Sequence, residues 1–177
     1  NQLWATNNGH DREGRDLPPE RIDIVRDGSF HGWPLAHGIG TWVDFSIRQY
    51  EDALLPLTAQ DTTDVASMRR PAVQVPAHLA PMAIHFYTGE TFPEQYFNAA
   101  FVALRGGGNA NVQGHKVVAI FTEADGSGAR VADFLTGFQP NANNTNGLWG
   151  KPVGLAQDAG GALYVSSDWV NHFIVKI

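Results

Sequence analysis

Two cationic side chains stand at matching places in this sequence, each at one end of a short apolar run. Arg105 follows the run at residues 100–104 and opens a glycine-rich loop. Lys151 comes directly before the run at residues 152–158. If these runs are strands of neighbouring repeat units, both cations converge on one rim of the fold, where they can bind carboxylate groups. A pair of ordinary surface cations is the alternative, and the residues alone leave it open.

An oxygen-rich loop at residues 7–16 is the second candidate site. It carries Asp11, Glu13 and Asp16 among Asn and Gly residues. Carboxylate and carbonyl oxygens are the ligands that Ca²⁺ prefers, although the spacing is not that of an EF-hand. A solvated acidic loop, in which an Asp caps a turn, is the plain alternative.

Two histidines also stand close to turn residues. His78 lies just before an Ala-Pro pair at the start of an apolar strand, where it either faces a site or lies on the surface. His31 belongs to the sequence HGWP, and we expect its ring to be buried beside Trp33.

Short strands separated by Gly, Asp and Asn turns must position these residues. The predicted units are part of a blade at 1–37, an inter-blade insertion at 38–76, a full blade at 77–138 and an incomplete blade at 148–177. Strand units that repeat after a few tens of residues predict an all-β fold, a partial β-propeller of about three blades. A β-sandwich has similar short strands, but the longer gaps and the alternation of strands with glycine loops favour the propeller.

Composition excludes several classes of function. The 177 residues carry a net charge of −6, and the only basic run is Arg69-Arg70, so we expect no nucleic-acid partner. The chain has no cysteine, which excludes disulfides, thiolate metal sites and cysteine nucleophiles. No apolar run is long enough for a membrane span.

Three segments together resemble the glucose/sorbosone dehydrogenase family. They are residues 3–34, which end in HGWP; residues 76–104, which include PAHLAP and FPEQYF; and residues 133–168, which include WGKPVGLAQD. Members of this family are soluble quinoproteins that bind pyrroloquinoline quinone (PQQ) and Ca²⁺ on a six-bladed propeller. The matching motifs belong to the C-terminal portion of the family's sequences.

The resemblance implies roles for particular residues. It assigns Ca²⁺ to backbone carbonyls around Asn8 and Gly9. The residues that it assigns to the cofactor are Asp16, His78, Arg105, Asn109 and Lys151. One departure is the loop at 105–110, which lacks a Trp and a second Arg of the family pattern and, after Arg105, keeps only Asn109 as a polar side chain.

The implied function is that of a PQQ-dependent aldose or sorbosone-type dehydrogenase. In the family a His base takes a proton from the sugar hydroxyl while hydride passes to the quinone, and an external acceptor removes the electrons. That His lies in earlier blades, so we expect these residues to be a fragment completed by missing sequence or by another chain. We expect a periplasmic or secreted location. The alternatives are a non-catalytic propeller module that binds a sugar or a protein partner, and a calcium-dependent lactonase-like propeller.

Overall fold

The computed structural model describes residues 2–107, 114–141, 147–169 and 171–177, and strands dominate them. The strands are β1 (Leu3–Asn7), β2 (Glu20–Val25), β3 (Ala36–His37), β4 (Thr41–Trp42), β5 (Val73–Val75), β6 (Pro81–Phe86), β7 (Ala100–Leu104), β8 (Lys116–Phe121), β9 (Arg130–Leu135), β10 (Pro152–Gln157), β11 (Leu163–Ser167) and β12 (Ile174–Lys176). The helices are α1 (Arg48–Leu54), α2 (Ala59–Ala66) and a 3-10 turn (Glu94–Tyr96).

Three antiparallel sheets follow one another along the chain. Their strand orders are β1-β2-β5, β6-β7-β8-β9 and β10-β11-β12, and β3 and β4 form a separate hairpin. The middle sheet packs between the other two, because β6 contacts β1 and β2 on one side while β10 contacts β6 and β7 on the other. Within the described residues the sheets do not close into a ring. The prediction of an all-β, partial propeller of about three blades is confirmed.

The core explains why the sheets stack face to face. Successive side chains of a strand point to opposite faces, and β7 is buried on both. Val102 packs with Ile22 in the core between the first and middle sheets. Phe101 packs with Leu163 in the core between the middle and third sheets. The apolar run at 100–104 therefore supplies both inter-sheet cores at once.

The segment between β2 and β5 holds the hairpin and both α-helices. Helix α2 begins with a capping box, in which Thr58 accepts the Asp61 N–H and the Asp61 side chain accepts the Thr58 N–H. Strand β5 lies within the predicted insertion at 38–76, yet it pairs with β2 as the third strand of the first sheet. No helix of the described residues has the length and apolar character needed to cross a membrane.

The buried guanidinium of Arg21 ties this segment to the first sheet. Its Nε and Nη2 atoms donate to the Asp23 carboxylate at 3.2 and 2.7 Å. Its remaining contacts are to the carbonyl oxygens of Gly38 at 3.0 Å and Arg69 at 2.8 Å. The Arg21 side chain therefore contacts the segment between β2 and β5 both before and after its two helices. These contacts hold that segment, called the helical segment below, against the first sheet.

Candidate functional site

The structure brings Arg105 and Lys151 together at one rim of the middle and third sheets. Arg105 Nε donates to both carboxylate oxygens of Asp168, at 3.0 and 2.9 Å. Lys151 Nζ donates to the Gly107 carbonyl at 3.4 Å and lies 5.1 Å from the centre of the Trp169 ring. The positions of the two cations at strand ends predicted that they converge, but no sequence pattern predicted that Asp168 lies with them.

Burial distinguishes the Lys151 ammonium from an ordinary surface cation. The residue is only 7% exposed. Burial lowers the Lys151 pKa, the positive charge of Arg105 lowers it further, and Asp168 opposes the shift. The Asp168 carboxylate is hydrogen-bonded to Arg105 and not to Lys151. The described contacts of Lys151 Nζ are therefore a long hydrogen bond to Gly107 and the face of the Trp169 ring. An anionic oxygen placed here would relieve the cost of burying that charge.

His115 completes this cluster, although it was not among the residues predicted from the sequence. Its Nδ1 lies 2.5 Å from the Arg105 carbonyl oxygen, and its ring is buried. Burial lowers the His115 pKa, and the charges of Lys151 and Arg105 lower it further. The β7–β8 register pairs Leu104 with Lys116, which places their neighbours Arg105 and His115 side by side. Had the β7–β8 register been known, it would have placed His115 in this cluster.

His78 connects two loops. Its main chain contacts the loop that begins at Arg105, and its ring contacts the loop at 8–16. Its carbonyl accepts the Gly107 N–H at 2.9 Å. Its Nδ1 lies 2.9 Å from Asp11 Oδ1, and its Nε2 lies 2.8 Å from the Gly14 carbonyl oxygen. Burial by itself lowers the His78 pKa, but these two acceptors and the Asp11 charge outweigh it and raise the pKa. The protonated His78 ring can donate to both acceptors, so the imidazolium form holds the loop at 8–16 most firmly.

The buried carboxylate of Glu20 on β2 connects the loop at 8–16 to the turn that carries His78. Its carboxylate accepts the Gly9 N–H at 2.5 Å and the Ala80 N–H at 3.3 Å. The side chain is almost fully buried, and burial raises the Glu20 pKa. Asn8 and Asp16 are exposed at the two ends of the loop. Because Glu20 accepts from both Gly9 and Ala80, it fixes the position of the loop relative to the turn that carries His78.

The Ca²⁺ site and the role of Asn109 stay predictions. Among the described residues, no group of three or more His, Asp or Glu side chains is placed to hold a metal ion. The Ca²⁺ site expected around Asn8 and Gly9 would use main-chain carbonyls, so it stays a prediction. Asn109 lies outside the described residues.

A cavity of about 410 Å³ opens on the other side of the same loop. Its lining residues include Asn8, Gly9, Arg21, His31, Trp33 and His37. His31 is half-buried and not the buried ring that was expected, and Trp33 is 64% exposed. The His31 ring lies at the cavity wall, where its Nε2 is hydrogen-bonded to Ser29 Oγ at 2.8 Å and its Nδ1 lies 3.3 Å from the Asp23 carboxylate without a hydrogen bond.

Antiparallel sheets stacked face to face, with a polar site where their loops meet at one rim, define a β-propeller. The family model described as TrAA12-like matches residues 36–175. The chain therefore belongs to the TrAA12-like family. An uncharacterized protein of Borreliella burgdorferi is 27% identical over 174 residues, which are 97% of this chain and 42% of that protein.

Solved structures with low sequence identity share the fold. A calcium structure of the family AA12 carbohydrate-active enzyme from Trichoderma reesei has a TM-score of 0.71 at 20% identity, over 99% of this chain and 48% of that one. The apo form of the soluble aldose sugar dehydrogenase from Escherichia coli has a TM-score of 0.61 at 18% identity, over 99% and 40%. The chain thus spans less than half the length of these relatives.

Proposed function

We propose that this chain is part of a PQQ-dependent sugar dehydrogenase of the aldose or sorbosone type. The observation that carries the proposal is the buried ammonium of Lys151, which lies beside Arg105 at the rim between two sheets. PQQ has three carboxylates, and paired Arg and Lys side chains bind such groups through charge-assisted hydrogen bonds. The resemblance to glucose/sorbosone dehydrogenases and the shared fold support this assignment.

Within this proposal each residue of the cluster has a defined task. Lys151 and Arg105 hold the anionic oxygens of the cofactor, and Asp168 orients the Arg105 guanidinium. The neutral His115 ring holds the Arg105 main chain without adding charge. When bound, PQQ supplies the two-electron chemistry that oxidises a sugar. Ca²⁺ at the loop around Asn8 and Gly9, an external electron acceptor and a periplasmic or secreted location belong to the same proposal.

A titration of the chain with PQQ tests the cofactor assignment. In the presence of Ca²⁺, we expect a saturable change in the absorption spectrum of PQQ, because its carboxylates leave water for a cationic site. The same titration with Lys151→Met shows whether the change depends on the buried ammonium. A spectrum that stays additive in both proteins would contradict the proposal.

A non-catalytic module that binds a sugar or a protein partner is the second candidate. The observation that favours it is the ion pair between Arg105 and Asp168, which already supplies this guanidinium with a carboxylate. An additive PQQ spectrum together with sugar binding would select it. A lactonase-like site would need converging carboxylates, and the described residues contain no such metal-binding group.

A further inference from the structure

A separate cavity opens at the end of the middle sheet that lies away from Arg105. It has a volume of about 380 Å³ and lies between the first and middle sheets. Pro81 pairs with Leu104 at one end of β6 and β7, and Phe86 pairs with Ala100 at the other end. Phe86 lines the cavity, whereas Arg105 follows Leu104, so the two sites lie at opposite rims. None of the described lining residues belongs to the helical segment.

Two aromatic rings form one wall of this cavity. The Trp4 ring of β1 and the Phe86 ring of β6 lie edge to face, with centres 5.5 Å apart and planes at 68°. Phe86 is 37% exposed. Trp4 Nε1 donates to Gln2 Oε1 at 3.3 Å, so the polar atom of the indole already has a partner. Trp4 therefore offers a ligand the electron-rich face of its ring.

A carboxylate without a partner lines the same cavity. Glu123 follows β8, and its side chain makes no hydrogen bond or ion pair among the described residues. The neighbouring Asp125, by contrast, accepts the N–H and the hydroxyl of Ser127 at 2.9 and 2.6 Å. The Glu123 carboxylate is therefore available to neutralise a bound cation.

The turn that carries Glu123 is held against the Trp4 ring. The Glu123 N–H donates to the Ser127 carbonyl, and the Glu123 carbonyl accepts the Gly126 N–H, both at 2.9 Å. Gly126 has a φ of +85°, and a Cβ there would overlap the Ile24 side chain and come within 3.1 Å of Trp4 Cζ2. The turn thus packs closely on the ring, which fixes the main chain of Glu123 beside it.

The lining of the cavity selects an organic cation. It includes one carboxylate, and none of the described lining residues is Lys, Arg or His. A metal ion would need several oxygen ligands, and the described residues hold no such group. A quaternary ammonium has no N–H group, so it loses no hydrogen bond against aromatic rings, which attract its charge. Gln2 and Asn98 also line the cavity and can bind a hydroxyl group of such a ligand.

We propose that this cavity binds a quaternary ammonium group, with choline as the simplest ligand of the class. The trimethylammonium group lies against Trp4 and Phe86, and Glu123 neutralises its charge. The hydroxyl group of choline binds the side-chain amide of Gln2 or Asn98. The site lies at the rim opposite Arg105 and needs neither PQQ nor Ca²⁺, so it does not rest on the proposed dehydrogenase function.

Calorimetric titration of the chain with choline at physiological ionic strength tests the proposal. Choline should bind saturably. Its neutral isostere, in which carbon replaces the nitrogen, should bind at least about tenfold more weakly, because it has the same shape without the charge. Trp4→Leu should weaken choline binding by about fivefold or more, and Trp4→Phe should retain part of the affinity. Thermal unfolding of both variants checks that they are folded.

The exposed side chain of Glu123 supplies a second variant that leaves the packing intact. Glu123→Gln should weaken choline binding by about threefold or more. The matched control is Glu90→Gln, because Glu90 is also exposed but does not line the cavity, and it should bind as the unmodified protein does. Equal affinity for choline and its isostere, or unchanged affinity in Glu123→Gln, would overturn the proposal. Equal losses in the two Gln variants would also overturn it, since they would show non-specific attraction by charge.

Vesicle flotation identifies the source of the ammonium group. Flotation with phosphatidylcholine vesicles but not with phosphatidylglycerol vesicles, reversed by free choline, would support the site and assign it to a lipid headgroup. Saturable choline binding without flotation would support the site and assign it to a free solute. Absence of binding to choline and to both kinds of vesicle would reject the site, whatever the outcome of the PQQ titration.

Discussion

The Arg105 guanidinium, just after β7, donates through Nε to both oxygens of Asp168, just after β11, at 3.0 and 2.9 Å. This contact joins the rims of two neighbouring sheets. Both side chains are partly exposed, so we expect the pair to stabilise the fold by less than about 1 kcal/mol. Its larger effect is positional, because it holds the guanidinium beside the Lys151 ammonium.

Replacement of either cation should weaken PQQ binding. Arg105→Ala and Lys151→Ala should each cost about 1.5–3 kcal/mol, the range for hydrogen bonds to charged groups. Spectroscopic titration measures the loss, and Arg48→Ala on α1 is the control, since that cation is exposed and distant in sequence. Unchanged titrations in both variants would show that neither Arg105 nor Lys151 binds the cofactor.

Lys151 also allows a stability test, because it is buried and not an exposed rim cation. Its lowered pKa means that folding disfavours the charged form. Lys151→Met keeps a stem of similar length and removes the charge, so we expect the free energy of unfolding at neutral pH to rise. Urea denaturation checks the sign, and a clear loss of stability would show that the charge itself stabilises the fold.

Calcium should raise the melting temperature of the chain if the carbonyls around Asn8 and Gly9 bind it. A ligand that binds only the folded form stabilises it in proportion to the logarithm of its concentration above the dissociation constant. Differential scanning calorimetry in millimolar Ca²⁺ measures the shift, with Mg²⁺ as the control for ionic strength. A transition that does not move would reject the metal assignment.

The raised pKa of His78 predicts a loss of stability as the pH rises. Both ring nitrogens face acceptors, Asp11 and the Gly14 carbonyl, so the imidazolium makes both hydrogen bonds. This contribution is complete below the unfolded pKa of about 6.5 and is lost as the pH rises through the folded pKa.

The matched variant is His78→Asn, because Asn tolerates the positive φ of 64° at this position and does not titrate. The difference in melting temperature between wild type and variant, measured from about pH 5 to about pH 8, should shrink as the pH rises. The remaining histidines titrate in both proteins and cancel. A difference that is flat or grows with pH would contradict the assignment.

Glu20→Gln should destabilise the fold by about 1–3 kcal/mol. The carboxylate accepts the N–H groups of Gly9 and Ala80, and an amide can offer only one oxygen to these two donors. Urea denaturation measures the change, with the exposed Glu51→Gln on α1 as control. Equal stability of the two variants would mean that the loop at 8–16 does not depend on this bridge.

Phe101→Ala should cost about 3–5 kcal/mol, the range for a buried aromatic side chain. The Phe101 ring is fully buried, and its centre lies 4.3 Å from that of Phe134. Phe97→Ala, at an exposed phenylalanine close in sequence, should cost much less. Thermal unfolding compares the two, and similar losses would show that the inter-sheet core does not dominate stability.

Local patterns predicted most of the strands. The apolar run at 100–104 was predicted to be a strand, and β7 spans Ala100–Leu104. A short apolar run bounded by turn residues is a local property of the sequence, so it predicts a strand without knowledge of the strand's partners. The capping box of Thr58 and Asp61 is equally local, so α2 could have been predicted from the sequence, although the segment at 38–76 was predicted only as an insertion between blades.

The sequence by itself determined the strands, their glycine and asparagine turns, and the placement of Arg105 and Lys151 at strand ends. Only the tertiary structure decided what those cations contact, because Asp168 and His115 reach them through the packing and register of separate strands. The cavity lined by Trp33 likewise depends on a loop and a hairpin that are distant in the chain. Such contacts depend on sheet register and inter-sheet packing, which no local period encodes.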